Sequence, residues 1–396
     1  MSNNWPVVKL GDVLTHVERT EQVDPTREYR LLGVRLDGGG AFLRETIVGA
    51  QTAATKLSRV AEGDFIYSRL FACRGAFGVV TPELSGCYVS SEFPTFVPRD
   101  GRVDINFLQY WFRLGNVIDR VNQDCTGSTP LTRNRFKENF FLALEIPLPP
   151  LAEQRRVVAR IEELAAQIGE ARALRAQAAE EAEALTKSTL SQELTAAAKK
   201  YGVQPMAEVA TCAAGFGFPK QHQGRTGLKY PFVKVSDMNL PKNQRAITSA
   251  QNWVDDDDVR ELKLKIYPVG TVIFPKIGGA IATNKRRVLS LPATFDNNVM
   301  GLIPSDKLLS EYLFAFMQSF DLTELQAGTS VPAISQGRVK ALKIPVPPLA
   351  EQRKIVAELD ALQAKVDALK RLQAETAAEL DALLPSILIK AFKGEL

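Results

Sequence analysis

Few residues in this chain have the types and spacing that catalysis needs. There are two histidines, His16 and His222, and four cysteines, Cys73, Cys87, Cys125 and Cys212. None of the cysteines forms a C-x-x-C pair, so neither a zinc site nor a disulfide framework is indicated. With so little histidine, a metalloenzyme or a Ser–His–Asp triad is poorly supplied. Asp255-Asp256-Asp257-Asp258, followed by Glu261-Leu262-Lys263, hints at a nuclease carboxylate cluster. Its spacing is wrong for that, and a run of aspartates reads better as a solvated loop or a helix start. Gly215-Phe216-Gly217 is superficially like a methyl-donor loop, without the acidic lead residue or a clear preceding strand. No G-x-x-x-x-G-K-[ST] phosphate loop occurs, and neither Asn-Pro-Pro-Tyr nor Asp-Pro-Pro-Tyr is present.

The residues with binding chemistry are basic and polar clusters beside glycine-rich or Ser/Thr-rich loops. Arg69 and Arg74 flank Phe71, with Gly75 next. Arg133, Arg135 and Lys137 follow Thr126-Gly127-Ser128-Thr129-Pro130, and Gln336, Arg338 and Lys340 follow Thr329-Ser330-Val331-Pro332. Lys276 precedes Gly278-Gly279-Ala280, and Lys285-Arg286-Arg287 follows it. Arginine and glutamine can make paired hydrogen bonds to base edges, while lysine and serine more often hold phosphates. These are candidate DNA contacts: Arg69, Arg74, Ser128, Arg133, Arg135, Lys276, Lys285, Arg286, Arg287, Ser330, Gln336 and Arg338. For each cluster the alternative is an ordinary solvated loop. The net charge of +4 does not by itself announce a nucleic-acid binder.

What must position these loops is a duplicated frame. Ile146-Pro147-Leu148-Pro149-Pro150-Leu151-Ala152-Glu153-Gln154-Arg155 recurs as Ile344-Pro345-Val346-Pro347-Pro348-Leu349-Ala350-Glu351-Gln352-Arg353, 198 residues later with one change. Weaker echoes join Leu10-Gly11-Asp12-Val13 to Met206-Ala207-Glu208-Val209, and Gly63–Ser68 to Gly270–Pro275. The period is too long for a solenoid repeat, so two copies of a whole domain-plus-helix unit follow one another. The frame is kept while the contents change.

Each Pro-Pro opens a long Ala/Leu/Glu/Arg-rich stretch, and proline suits a first helical turn. Val157, Ile161, Leu164, Ile168 and Ala171 step by four and three, and after a polar break at Arg175 the register continues through Ala178, Ala182, Leu185 and Thr189. Ile355, Leu359, Leu362, Val366 and Leu369 do the same, and after Gln373 come Thr376, Leu380, Leu383 and Ile387. Such alternation is a coiled-coil seam, and matched polar layers can fix its register. The expectation is one intramolecular antiparallel pair, not two separate surface helices. Leu151, Val157, Ile161, Leu164, Ile168, Leu349, Ile355, Leu359, Leu362 and Val366 are its candidate packing or partner-docking residues.

The organisation predicted is α+β: a mixed domain over 1–146, a spacer helix over 147–200, a second mixed domain over 201–344 and a second spacer helix over 345–396. Phe65–Ser68, Phe77–Val80, Pro231–Val235 and Thr271–Phe274 read as strands. Ile105–Phe112 and Glu311–Phe316 read as helices at equivalent places. No apolar run approaches the roughly 20 residues of a membrane span. The start Met1-Ser2-Asn3-Asn4-Trp5 lacks the features of a signal peptide, so a cytoplasmic, reduced setting is expected.

These features together resemble the specificity subunits of type I restriction–modification systems. The doubled Ile-Pro-[Leu/Val]-Pro-Pro-Leu-Ala-Glu-Gln-Arg carries the resemblance most specifically. Trp5-Pro6-Val7-Val8-Lys9-Leu10-Gly11-Asp12-Val13, Gly127-Ser128-Thr129-Pro130 and Phe392-Lys393-Gly394-Glu395-Leu396 add to it. The resemblance implies two target-recognition domains, each for one half of an interrupted, asymmetric double-stranded DNA site. It implies helices that set the gap and dock two modification subunits, with restriction subunits joining them. It implies no catalysis in this chain, with S-adenosylmethionine, ATP and magnesium on the partners. The competing readings are an enzyme, such as a fused methyltransferase or nuclease, and a coiled-coil scaffold or relic specificity protein that binds no DNA.

Overall fold

A computed structural model describes residues 5–125, 135–327 and 331–396. The chain divides into two compact units, Met1–Arg175 with Gln373–Leu396, and Ala176–Leu372. Each unit combines a globular head with one end of each long helix.

In unit 1 the two ends of the head are zipped together. Val7–Lys9 pairs antiparallel with Glu145–Pro147, and the Leu10 N–H donates to the Leu144 carbonyl at 2.8 Å. Behind this clasp lies a four-stranded sheet in the order Leu14–Val17, Thr95–Pro98, Phe65–Tyr67, Phe77–Val79. Its apolar face and the helix Ile105–Trp111 enclose Phe65, Tyr67, Phe77, Phe96, Phe112 and Phe141, all fully buried. Asp104 starts that helix by accepting from the Asn106 and Phe107 N–H groups, the role an N-cap acid serves on unpaired donors. A second, five-stranded sheet is built from Thr20–Gln22, Lys56–Arg59, Tyr88–Val89, Glu28–Val34 and Ala41–Val48, in that order.

Unit 2 repeats the frame. Val203–Pro205 pairs antiparallel with Lys343–Pro345, and the Met206 N–H donates to the Leu342 carbonyl at 2.7 Å. Its main sheet runs Ala210–Ala214, Val299–Pro304, Val272–Pro275, Arg287–Leu289, the same order as in unit 1, and then adds Ala246–Ile247. The helix Ser310–Gln318 occupies the place of Ile105–Trp111. The rest of the head differs. Where unit 1 has its five-stranded sheet, unit 2 has a three-stranded sheet of Trp253–Val254, Tyr230–Val233 and Thr294–Phe295. The aspartate run is a helix start: Asp255 accepts from the Asp257 and Asp258 N–H groups and opens the helix Asp256–Glu261. The fold class is α+β with two such heads and a helical pair.

The first long helix runs from Leu151 to Tyr201, 51 residues, about 76 Å at 1.5 Å per residue. The second is Leu349–Glu375, continued as Ala377–Phe392 after a break at Thr376. The helical segments of unit 1 run antiparallel. Arg156 meets Leu396, Arg172 meets Asp381 and Arg175 meets Gln373. In unit 2 Glu183 meets Lys370, and Leu190, Leu194 and Ala197 share a core with Ile355 and Leu359.

Two details of the expected seam are corrected. Leu185 is 55% exposed, and its neighbour Thr186 turns inward instead. A straight helix drifts about 20° per heptad from a 3.5-residue repeat, so four heptads beyond Val157 the inward position has moved on by a residue. Leu383 is 44% exposed. After the break at Thr376 the inward positions are Leu380, Leu384, Ile387, Leu388 and Ala391.

Candidate nucleic-acid interface

In unit 1 the strand Phe65–Tyr67 delivers Arg69 to the rim of the sheet. The Arg69 carbonyl accepts from the Phe136 N–H at 3.0 Å, which anchors the segment leaving the 126–134 stretch. The Arg69 guanidinium bonds to Glu138 and to the Ser91 carbonyl. Arg135 pairs with Glu92 at 2.6 Å. Arg69, Arg135, Glu92 and Glu138 thus form one mixed-charge cluster. Arg74 is exposed at the end of the 3-10 turn Ala72–Arg74, beside a half-exposed Phe71.

Unit 2 builds the same junction with other side chains. The strand Val272–Pro275 delivers Lys276, whose carbonyl accepts from the Ile334 N–H at 2.9 Å. Ile334 leads into the helix Gln336–Ala341, where Ser335 caps the Arg338 N–H. Arg338 is exposed and bonds to the Gln326 carbonyl, and Gln336 is half-buried. Arg69 and Lys276 therefore hold one structural position in the two heads, each next to the basic–polar segment that follows a Ser/Thr loop. Ser128, Arg133 and Ser330 lie outside the described residues.

The basic triplet divides. Lys285 is half-buried and reaches Asn239. Arg286 and Arg287 are buried, and the expectation that they face DNA is corrected. Arg286 donates to the Asn284 carbonyl at 2.7 Å and to the Phe320 carbonyl, with its guanidinium over the Phe320 ring. Arg287 donates to the carbonyls of Asn243, Arg286 and Met238. Burial holds the Arg286 guanidinium down at about 10, with Asp321 opposing, and burial also lowers Arg287. A buried cation surrounded by carbonyls is a strut, and its donors are spent inside the protein. Sequence periodicity could not find this, because the strand Arg287–Leu289 is too short to show alternation.

The helix residues also divide. Val157 and Ile161 are buried in the unit 1 head core, and Ile355 and Leu359 in that of unit 2. Ile168 and Val366 are buried as well, while Leu151, Leu164, Leu349 and Leu362 are half-buried. These side chains pack helix on head and helix on helix. The buried ones are closed to a separate partner.

Two residues that position the heads escaped the sequence reading, Gln154 and Gln352. Both have zero exposure. Gln154 donates to the carbonyls of Arg102 at 2.8 Å and Pro149 at 2.7 Å, and accepts from the Asp104 N–H at 2.8 Å. Gln352 donates to the carbonyls of Lys307 at 2.9 Å and Pro347 at 2.8 Å, and accepts from the Leu309 N–H at 2.9 Å. One amide in each repeat locks the start of a long helix to its head. The signal was available: a polar residue on the inward side of a doubled motif.

Among the described residues no group of His, Cys, Asp and Glu is placed to hold a metal ion. Among them, too, no helix is long and apolar enough to cross a membrane.

Comparison with known proteins gives one consistent result. Residues 199–377 match a family model described as the type I restriction modification DNA specificity domain. The chain is similar to the EcoDI specificity subunit of a type I restriction enzyme from Escherichia coli, 24% identical over 382 residues that span 87% of this chain and 82% of that one. Its fold is similar to that of the HsdS subunit from Thermoanaerobacter tengcongensis, with a TM-score of 0.65, 26% identity and coverage of 100% of this chain and 98% of that chain. A chain from a structural study of complex assembly and conformational transition in the type I R-M system gives a TM-score of 0.71, with 26% identity and coverage of 100% and 99%.

Proposed function

We propose that the chain, which is similar to the specificity subunits of type I restriction–modification systems, has their non-enzymatic role in DNA sequence recognition, and that its two heads read the two halves of an interrupted double-stranded DNA site. The observation that carries this reading is the shared frame with unshared contents. Both heads have the same clasp, the same sheet order and the same Arg69/Lys276 junction, yet their second sheets differ. Two such heads place equivalent surfaces on DNA while contacting different bases.

The helical pair sets the number of base pairs between the halves and docks the modification subunits, with restriction subunits joining the assembly. The exposed leucines of the helices support the docking role. Leu174 and Leu383 in unit 1 are 57% and 44% exposed, and their repeat equivalents Leu372 and Leu185 in unit 2 are 57% and 55% exposed. Two chemically equivalent surfaces suit two copies of one partner. S-adenosylmethionine, ATP and magnesium belong to the partner subunits, and the assembly works in the cytoplasm. The test is methylation-site sequencing of DNA from cells expressing the chain with its modification subunit. A motif of two specified segments around an unspecified gap is expected, and a single continuous motif overturns the reading.

A further inference from the structure

Unit 1 contains a cavity of about 380 Å³ at the rim of its five-stranded sheet, next to the Arg69 junction. Thr20, Lys56, Ser58, Arg69, Ser90 and Ser91 line it. Three observations distinguish it from an ordinary surface dent. Among the described residues the Lys56 ammonium makes no ion pair or hydrogen bond, and it is exposed. The Thr95 side chain, 3% exposed, lines the same cavity and leaves its buried hydroxyl without a partner there. A buried hydroxyl without a partner is costly unless something completes it. Finally, the Thr20 and Ser58 hydroxyls lie 3.2 Å apart on neighbouring strands, and Ser90 and Ser91 line the same concave space.

We infer that this cavity is a seat for a backbone phosphodiester of the DNA bound by the first head, held by Lys56 and the surrounding hydroxyls. The inference rests on the proposed DNA-binding function. The phosphate ridge is the convex part of a duplex and fits a concavity, whereas base edges lie in grooves that side chains must enter. Lysine with serine and threonine is the donor set that holds phosphates. Arg69 contributes at the wall only, since its guanidinium is committed to Glu138 and the Ser91 carbonyl. Glu18 also lines the cavity and opposes the anion. Strands Thr20–Gln22 and Lys56–Arg59 belong to the sheet that unit 2 replaces, so the seat is private to the first head.

The test uses the assembled methyltransferase complex and two duplexes, one carrying the motif it methylates and one unrelated. Lys56→Ala should weaken binding to both duplexes by the same factor and reduce the slope of log affinity against log salt by about 0.9. Ser58→Ala with Ser90→Ala should weaken both equally with the slope unchanged. Glu18→Gln should tighten both. The methylated motif should be identical in every variant. Inorganic phosphate at equal ionic strength should compete no better than sulfate, which separates a DNA backbone contact from a site for free phosphate. Unchanged affinity and slope in Lys56→Ala overturn the inference. So does relaxation of the motif at one position, which would make the cavity a base reader. Failure of the wild-type complex to prefer its own motif would instead overturn the proposed function.

Discussion

Arg175 and Gln373 occupy the same position in the two repeats, 198 residues apart, and bond to each other. The Arg175 guanidinium donates to the Gln373 carbonyl at 2.5 Å, and the Gln373 amide donates to the Arg175 carbonyl at 2.9 Å. Arg175 also reaches the Thr376 hydroxyl at 2.7 Å. The flanking ion pairs obey the same equivalence. Arg172–Asp381 in unit 1 has Lys370–Glu183 as its counterpart in unit 2. A polar pair at the point where each repeat meets its own copy fixes the register of an antiparallel seam that alanines alone would leave free to slide.

That register gives a prediction about helix length. Four residues inserted after Glu180 add about one turn, roughly 6 Å, and keep the apolar face in phase, whereas two residues rotate it by about 200°. With the four-residue insertion, methylation-site sequencing should return both half-sites with a gap longer by one or two base pairs. The two-residue insertion should lose methylation. An unchanged gap with full activity would make the helices a tether.

The paired glutamines predict matched losses. Gln154→Ala strands the Asp104 N–H and two carbonyls, and Gln352→Ala strands the Leu309 N–H and two carbonyls. Each should cost about 2–3 kcal/mol in urea denaturation. The double variant should show the sum, because the sites lie in separate units and share no partner. A loss below about 0.5 kcal/mol in either would contradict the locking role.

The corrected arginine assignment predicts opposite phenotypes for near neighbours. Arg287→Ala removes the donor of three carbonyls and should destabilise unit 2 by about 2–3 kcal/mol. Lys285→Ala removes one solvent-exposed bond of a half-buried side chain and should change stability by less than about 0.5 kcal/mol. Thermal melts of the two variants decide it.

Asp258 predicts an acid limb. It is 4% exposed. Burial works against its ionisation, but Arg225, the Asp255 N–H and His222 outweigh that and hold its carboxyl down to about 2, against the usual 3.8. A carboxylate depressed in the folded state stabilises fully above the ordinary value, and that contribution drains away as pH falls toward the folded one. The unfolding free energy of unit 2 should therefore fall between about pH 4 and pH 2. Asp258→Asn should be less stable at pH 7 and flatter across that window. Equal slopes would contradict the assignment.

The sequence was most legible where one residue type recurs at fixed spacing. The doubled Pro-Pro-Leu-Ala-Glu-Gln-Arg exposes the frame, and the 3–4 stepping from Val157 to Ile168 marks buried positions. The strands at Phe65 and Val272 and the helices at Ile105 and Ser310 stand where their patterns put them. Legibility failed where tertiary packing decides. Arg286 and Arg287 look like a surface cluster, and only the carbonyls of residues more than 30 positions away make them internal. Leu185 and Leu383 satisfy a heptad, yet helical drift and the break at Thr376 turn them outward. The cavity beside Arg69 joins strands far apart in the chain, and no local pattern announces it.

The central claim, one half-site per head, is tested most directly by exchanging a head. Residues 1–145 are replaced by the equivalent segment of a relative with a different known motif, and the exchanged chain is expressed with its modification subunit. Methylation-site sequencing should then show one half-site changed to the relative's, with the other half and the gap retained. A change in both halves, or in neither, would contradict the account.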